Sequence, residues 1–394
     1  DQKALAYVAR PRPGRRMALA AEFVVGFGAP APYGFEPFDD AVLRHANAMS
    51  WGKEQLATVD LARARFVVSF GADFLGTWIA PVQFTRAYAK ARDLRDEQKE
   101  MLRHVQFESH MSLTGSNADT RVKSSPAEQE LALLYLAKLI AADTPSIKTQ
   151  LSSFEPQLNE KTRAAVERLA AELTKFQGQA LVVCGANDAD VQTMVNYINF
   201  AIGSYGNTVD LSFPFLAMES SDADVVELVR QMNGGEIAAL IISGVNPAYD
   251  YFDNQAFANG LKKVSLKISL NSSLDESSAL ADFVCPQSHF LEAWDDAEPV
   301  KGTFSINQPT ISPLFQTRAY QESFMRWSGD QRGFYDALRE SWRTRLVAQQ
   351  KQYATFDEFW DQTLLKGFVA DAASSTTPPF KNDSFKDAIG RLTA

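Results

Sequence analysis

Short apolar runs, each ending in a Gly-rich or polar turn, constrain this chain more than any other feature. ALAYVA (4–9), RFVVSF (65–70), ALVVC (180–184) and ALIISG (239–244) are apolar almost throughout. Strands of that kind need cover on both faces, as in a parallel sheet packed between helices. HVQFE (104–108), VSLKISL (264–270) and DFVC (282–285) supply further strands. Helical stretches lie between them, near 39–50, 80–94, 126–142, 160–175 and 188–202. Val42, Leu43, Ala46 and Met49 keep helical spacing in the first, and Pro126 suits the first turn of the third. The alternation predicts an α/β protein of right-handed βαβ units.

The pattern restarts near 178. The sequence therefore predicts two doubly wound, mostly parallel-sheet lobes, since 394 residues are too many for one core. Residues 1–150 form the expected first lobe, 151–178 a linker and helix, and 179–300 the second lobe. Residues 301–394 are expected as an extended strap, helices and a polar tail. The chain opens at Asp1-Gln2-Lys3 and enters its first strand at once, which is expected of one segment of a longer polypeptide. No run of 18 apolar residues offers a membrane span. Thirty-nine basic residues against 48 acidic ones give a net charge of −9 with no long basic run, which argues against a nucleic-acid groove.

Open α/β sheets bind ligands where loops leave the carboxyl ends of their strands. Four such turns hold the candidate site residues: Gly71 and Asp73; Glu108, Ser109, Thr114 and Gly115; Gly185 and Asn187; Gly244 and Asn246. Turn and cap chemistry accounts for any one of them alone, whereas the four together point to a cleft for a nucleotide-like ligand. No G-x-G-x-x-G opens a helix after a strand, and Walker, G-x-S-x-G and HExxH motifs are missing too. No catalytic residue and no metal ligand is assigned. Cys184 and Cys285 are far apart with no CxxC, which excludes an iron–sulfur cluster or Cys-type zinc site built within the chain. Both are expected as buried thiols in strands, and His45 as a half-buried packing residue. The run Glu292–Pro299 is read as a solvated acidic loop or a partner contact made by Glu292, Trp294, Asp295, Asp296 and Glu298.

Several longer stretches resemble a known family. FGADFLGTW (70–78), followed by Pro81, Val82 and Arg86, is similar to a stretch in large subunits of quinol:cytochrome c oxidoreductases of the alternative complex III type. Those subunits belong to the molybdopterin oxidoreductase superfamily. FESHMSLTGSNADTRV (107–122), SGVNPAYD (243–250), LDESSALADFVCP (274–286) and FLEAWDDAEPVKGTFSINQPTISPLFQTR (290–318) continue the resemblance in order. It implies a fold of the DMSO reductase type. It also implies partners in a membrane respiratory complex at the periplasmic face: an iron–sulfur domain, a quinol-oxidising membrane subunit and a cytochrome c subunit. Catalytic members hold molybdenum between two pterin guanine dinucleotides, but the segment that usually reads Pro-Gly-Thr-Asp is here Pro126-Ala127-Glu128-Gln129. The expectation is therefore a cofactor-less scaffold whose ten turn residues mark a vestigial dinucleotide cleft. The alternative is a fragment of an active Mo/W-bis-pterin enzyme of the polysulfide reductase-like type, with ligand and cluster motifs outside this chain.

Overall fold

The computed structural model describes residues 5–94, 100–141, 145–152, 154–216, 219–346, 352–370 and 379–393. The chain divides into two compact units that interleave in sequence. The first comprises residues 1–41 and 216–373, the second 42–215 and 374–394. The lobe boundaries expected at 150, 178 and 300 do not coincide with them. The reason lies in strand pairing. Leu5–Ala9, first in the chain, pairs with Ala239–Ser243, while Ala180–Cys184 pairs with Phe66–Phe70. Apolar periodicity marks a strand as buried but carries no information about which sheet buries it.

In the first unit five parallel strands run in the order Phe283–Val284, Leu266–Ser269, Ala239–Ser243, Leu5–Ala9, Tyr33–Gly34. Successive side chains alternate between its faces. Ala6, Val8, Leu240 and Ile242 meet Leu228, Met232 and Phe257, from helices Asp222–Gly234 and Asn254–Leu261. Tyr7, Ala9 and Ile241 meet Ala20, Val24 and Phe324 from helices Arg15–Gly26 and Tyr320–Trp327. An antiparallel set, Asp295–Val300, Thr303–Asn307 and Phe368–Ala370, packs on helices Phe334–Arg345 and Phe356–Lys366 around Trp342 and Trp360.

The second unit holds the parallel order Thr120–Lys123, Arg103–Glu108, Phe66–Phe70, Ala180–Cys184. Helices Pro126–Ile140, Glu160–Lys175 and Ala189–Ala201 bury Leu133, Leu136, Val166, Leu169, Met194 and Ile198 beside Phe66, Val68, Val105 and Val182. Each begins on a side-chain cap: Ser125, Asn159 and Asp188 accept from N–H groups of their first turns. The segment expected as linker and helix, 151–178, thus supplies core residues. In the expected polar tail, residues 371–378 lie outside the described ones. Asn382–Leu392 is a helix that buries Phe385 and Ile389 in the same core, with Phe385 stacked 3.9 Å from Tyr197. Short amphipathic helices amid Ser, Thr and Pro escape a composition-based reading. Among the described residues no helix is long and apolar enough to cross a membrane.

Candidate functional site

Three strand ends of the second unit's parallel sheet, at Phe70, Glu108 and Cys184, open on a cavity of about 210 Å³. Of the ten turn residues, Gly71, Asp73, Glu108, Ser109 and Gly185 line it, beside Ser112, Gln129 and Glu130. Gly71 has φ +67°, a left-handed conformation that glycine adopts without strain. A Cβ on Gly185 would lie 2.6 Å from the Gly71 carbonyl oxygen, so the two turns cross backbone to backbone.

Two of the acidic groups at this cavity, Glu108 and Asp73, are bonded to their neighbours. Glu108 is buried and ion-paired with Arg121, and it accepts from Ser112 Oγ at 2.7 Å. Burial pushes Glu108 toward protonation, but the bonds from Arg121 and Ser112 outweigh it and hold the carboxyl below its ordinary range. Asp73 Oδ1 accepts from Thr114 Oγ1 at 2.6 Å and from Thr114 N at 3.0 Å, and Thr114 Oγ1 in turn accepts from Leu75 N at 2.9 Å. Thr114 and Gly115 therefore stand behind the cavity wall. A side chain on Gly115 would overlap the Glu108 carboxylate. Gln129 donates to the Ser124 carbonyl at 3.2 Å, and its Oε1 fills the space a Cβ on Gly71 would need. Arg121 and Ser112 are not among the candidate site residues, and Gln129 enters the sequence reading only as a departure from the family's Pro-Gly-Thr-Asp. Arg121 shows only as one of two basic residues of TRVK, on the edge strand beside the strand of Glu108.

Deeper in the same sheet, His104 and Gln106 are fully buried, with their side chains on one face. Burial lowers the imidazole pKa to about 4, so His104 is neutral at pH 7. Tyr88 Oη lies 3.2 Å from His104 Nδ1 and donates to the Asn117 carbonyl at 2.9 Å. Tyr88 has one proton, so Nδ1–H must be the donor in the first contact, which leaves Nε2 as an acceptor. The Gln106 amide satisfies it when turned so that its NH₂, otherwise unpartnered, faces Nε2.

The other predicted residues fall elsewhere. Asn187 is exposed and does not line the cavity. Gly244 and Asn246 line a separate cavity of about 290 Å³ in the first unit. There Asn246 bonds Ser277 Oγ at 2.8 Å and Glu276 at 2.6 Å. The acidic loop is corrected: Asp295–Val300 is a strand. Asp296 is buried, accepts from Trp342 Nε1 at 2.9 Å and from Arg15 N, and so caps the helix Arg15–Gly26, whose own Gly14 offers no side chain. Glu292 accepts from Leu314 N and His289 N, Glu298 from Gly302 N, and Asp295 from Asp296 N. Trp294 is half-buried, 4.7 Å from Tyr335. Alternating the acids along a paired strand separates the charges that a loop would crowd. Cys184 is buried, which pushes its thiol up to about 12, but Cys285 and His45 are exposed, against expectation. Among the described residues no three His, Cys, Asp or Glu side chains are grouped to hold a metal.

With both sheets placed, the likeness to solved structures decides the fold. Acetylene hydratase from Pelobacter acetylenicus, a molybdopterin-type enzyme, superposes with a TM-score of 0.66 at 11% identity, over 94% of this chain and 61% of that one. The fold is of the molybdopterin oxidoreductase type. A formyltransferase/hydrolase complex from Methylorubrum extorquens, in complex with methylofuran, matches at a TM-score of 0.53 and 11% identity, over 86% of this chain and 93% of that one. In sequence, the chain is 24% identical over 322 residues to the menaquinone reductase molybdopterin-binding-like subunit of Nitratidesulfovibrio vulgaris (Hildenborough). The match covers 72% of this chain and 46% of that subunit, so the chain spans about half the length of its curated relative. No protein-family model matches it.

Proposed function

We propose that this chain is a cofactor-less, molybdopterin-oxidoreductase-like scaffold in a membrane-associated electron-transfer complex that exchanges electrons with quinol, docking other subunits there. The chief support is the acidic lining of the second unit's cavity, with Glu108 and Asp73 tethered. A dinucleotide pyrophosphate on the 66–70 and 103–108 strand ends would meet the carboxylates of Glu108, Asp73 and Glu130. Like charges at such range are strongly unfavourable in a partly buried site. The groups that could answer a phosphate are committed elsewhere, Arg121 and Ser112 to Glu108 and Thr114 to Asp73. The space of about 210 Å³ is also below the roughly 300–1,000 Å³ usual for small-molecule pockets. These residues do not fit the dinucleotide, and no chemical step is assigned to it.

The quinone-linked setting rests on the curated relative, a menaquinone reductase subunit. In this reading electrons cross clusters held by partner domains, at the periplasmic face, and this chain supplies shape and contact. The test is elemental and pterin analysis of the full-length protein from its native membranes. Molybdenum, tungsten and pterin are expected far below one equivalent per chain. A stoichiometric metal with pterin would overturn the proposal.

A further inference from the structure

The first unit's parallel sheet is well covered at its centre but bare at one end. Among the described residues, Phe283–Val284 is its last strand and pairs within it only with Leu266–Ser269. Consecutive strand residues face opposite sides, and here both are open to water, Phe283 at 59% and Val284 at 37% exposure. Parallel strands are ordinarily buried on both faces, and edges left to solvent usually carry lysine or another charge against pairing. Here the adjacent Asp282 is already bonded to Lys267, through both Nζ and the backbone N–H.

The chain continues from this edge into a double strap. Its legs are joined by Thr310 N and Ile311 N donating to the Leu291 carbonyl, by Leu314 N donating to Glu292, and by Ser288 with Thr317. The strap is thus an ordered surface, yet Phe290, Leu314 and Phe315 are 63%, 71% and 77% exposed. Leu266, Leu291 and Ile311 add further exposed apolar surface on the edge and strap.

We propose that this edge takes an extended apolar segment of another polypeptide, added as a sixth strand beside Phe283–Val284, with Phe290, Leu314 and Phe315 closing over it. Main-chain pairing supplies the attraction and alternate apolar side chains the selectivity. Asp275, Glu276 and Glu292 lie along the neighbouring sequence, so the segment carries Lys or Arg at its flanks. An anionic bilayer is the poorer fit for the same reason. The inference rests on the docking role proposed above but fails separately from it, since it is indifferent to metal content.

The test places the photo-cross-linker p-benzoylphenylalanine at Phe283 or Phe315, with Val82 of the second unit as control, in full-length protein assembled in its native membranes. Cross-linked peptides are sequenced by mass spectrometry. The expected result is one stretch of another polypeptide, apolar at alternate positions, captured from both edge sites and not from Val82. In parallel, Val284→Lys is expected to cut co-purification of that polypeptide at least tenfold, with amide exchange over Ala239–Ser243 unchanged. Adducts to lipid, to a second copy of this chain or to the same polypeptide, or no adduct at all, would overturn the proposal.

Discussion

Arg121→Ala removes the cation that faces Glu108. The Glu108 side chain is 4% exposed and that of Arg121 29%. Breaking a buried pair on one side costs about 3–5 kcal/mol because a charge is left without its partner. Arg121 is partly solvated and Ser112 continues to donate, so the loss at pH 7 should be about 3 kcal/mol, roughly a hundredfold in the unfolding constant. The pH dependence should also reverse. In the wild type the folded pKa of Glu108 lies below the unfolded value of 4.5. Its stabilisation is therefore present above 4.5 and lost as pH falls through the folded value. Without Arg121 burial dominates, the folded pKa rises above 4.5, and acidification from pH 7 toward 5 relieves the variant relative to wild type. Urea denaturation at both pH values, followed by amide exchange in the 66–70 and 103–108 strands, reads both effects. A loss under about 0.5 kcal/mol, or identical pH profiles, would refute the assignment of Arg121 as the counter-charge. Replacing the pair by Glu108→Leu with Arg121→Met should come close to wild-type stability.

Two further outcomes follow from buried polar groups. Because the folded pKa of His104 is depressed from 6.5 to about 4, the unfolded chain binds the extra proton as pH falls below 6.5. The second unit should lose about 2 kcal/mol between pH 7 and 5, and a His104→Gln variant should lack that part of the slope when both are titrated by denaturation. Asp296→Leu orphans Trp342 Nε1 and the first-turn N–H of Arg15. It should cost the first unit about 2–3 kcal/mol, and Asp296→Asn less than half of that, by urea denaturation followed by amide exchange in the helix Arg15–Gly26.

Most strands and helices of the core were legible because burial on two faces leaves a continuous apolar run. RFVVSF, ALVVC and ALIISG are strands where the run places them. Val209–Phe215 and Thr120–Lys123 were not legible, since VDLSFPF carries a proline and TRVK has two cations. The candidate site was legible as a set of turns: five of the ten residues do converge on one cavity. What those residues do there was not legible. Glu108 and Asp73 are answered by Arg121 and Thr114, 13 and 41 residues away in sequence, and no local pattern records such a pairing. The acidic run misled for a related reason: Asp296 serves a helix start 281 residues away.

The interleaving of the two units bears on how the chain is made. Leu5–Ala9 leaves the ribosome about 230 residues ahead of its partner Ala239–Ser243. At about 5–20 residues per second the nascent strand waits some tens of seconds with the edge that Ala239–Ser243 will take still open, Tyr33–Gly34 being on its other side. The sheet around Phe66–Phe70 needs only residues up to Cys184 to pair its strands. Synthesis therefore favours one sheet closing while the other is still half unmade, and it leaves Leu5–Ala9 open to a chaperone in the interval.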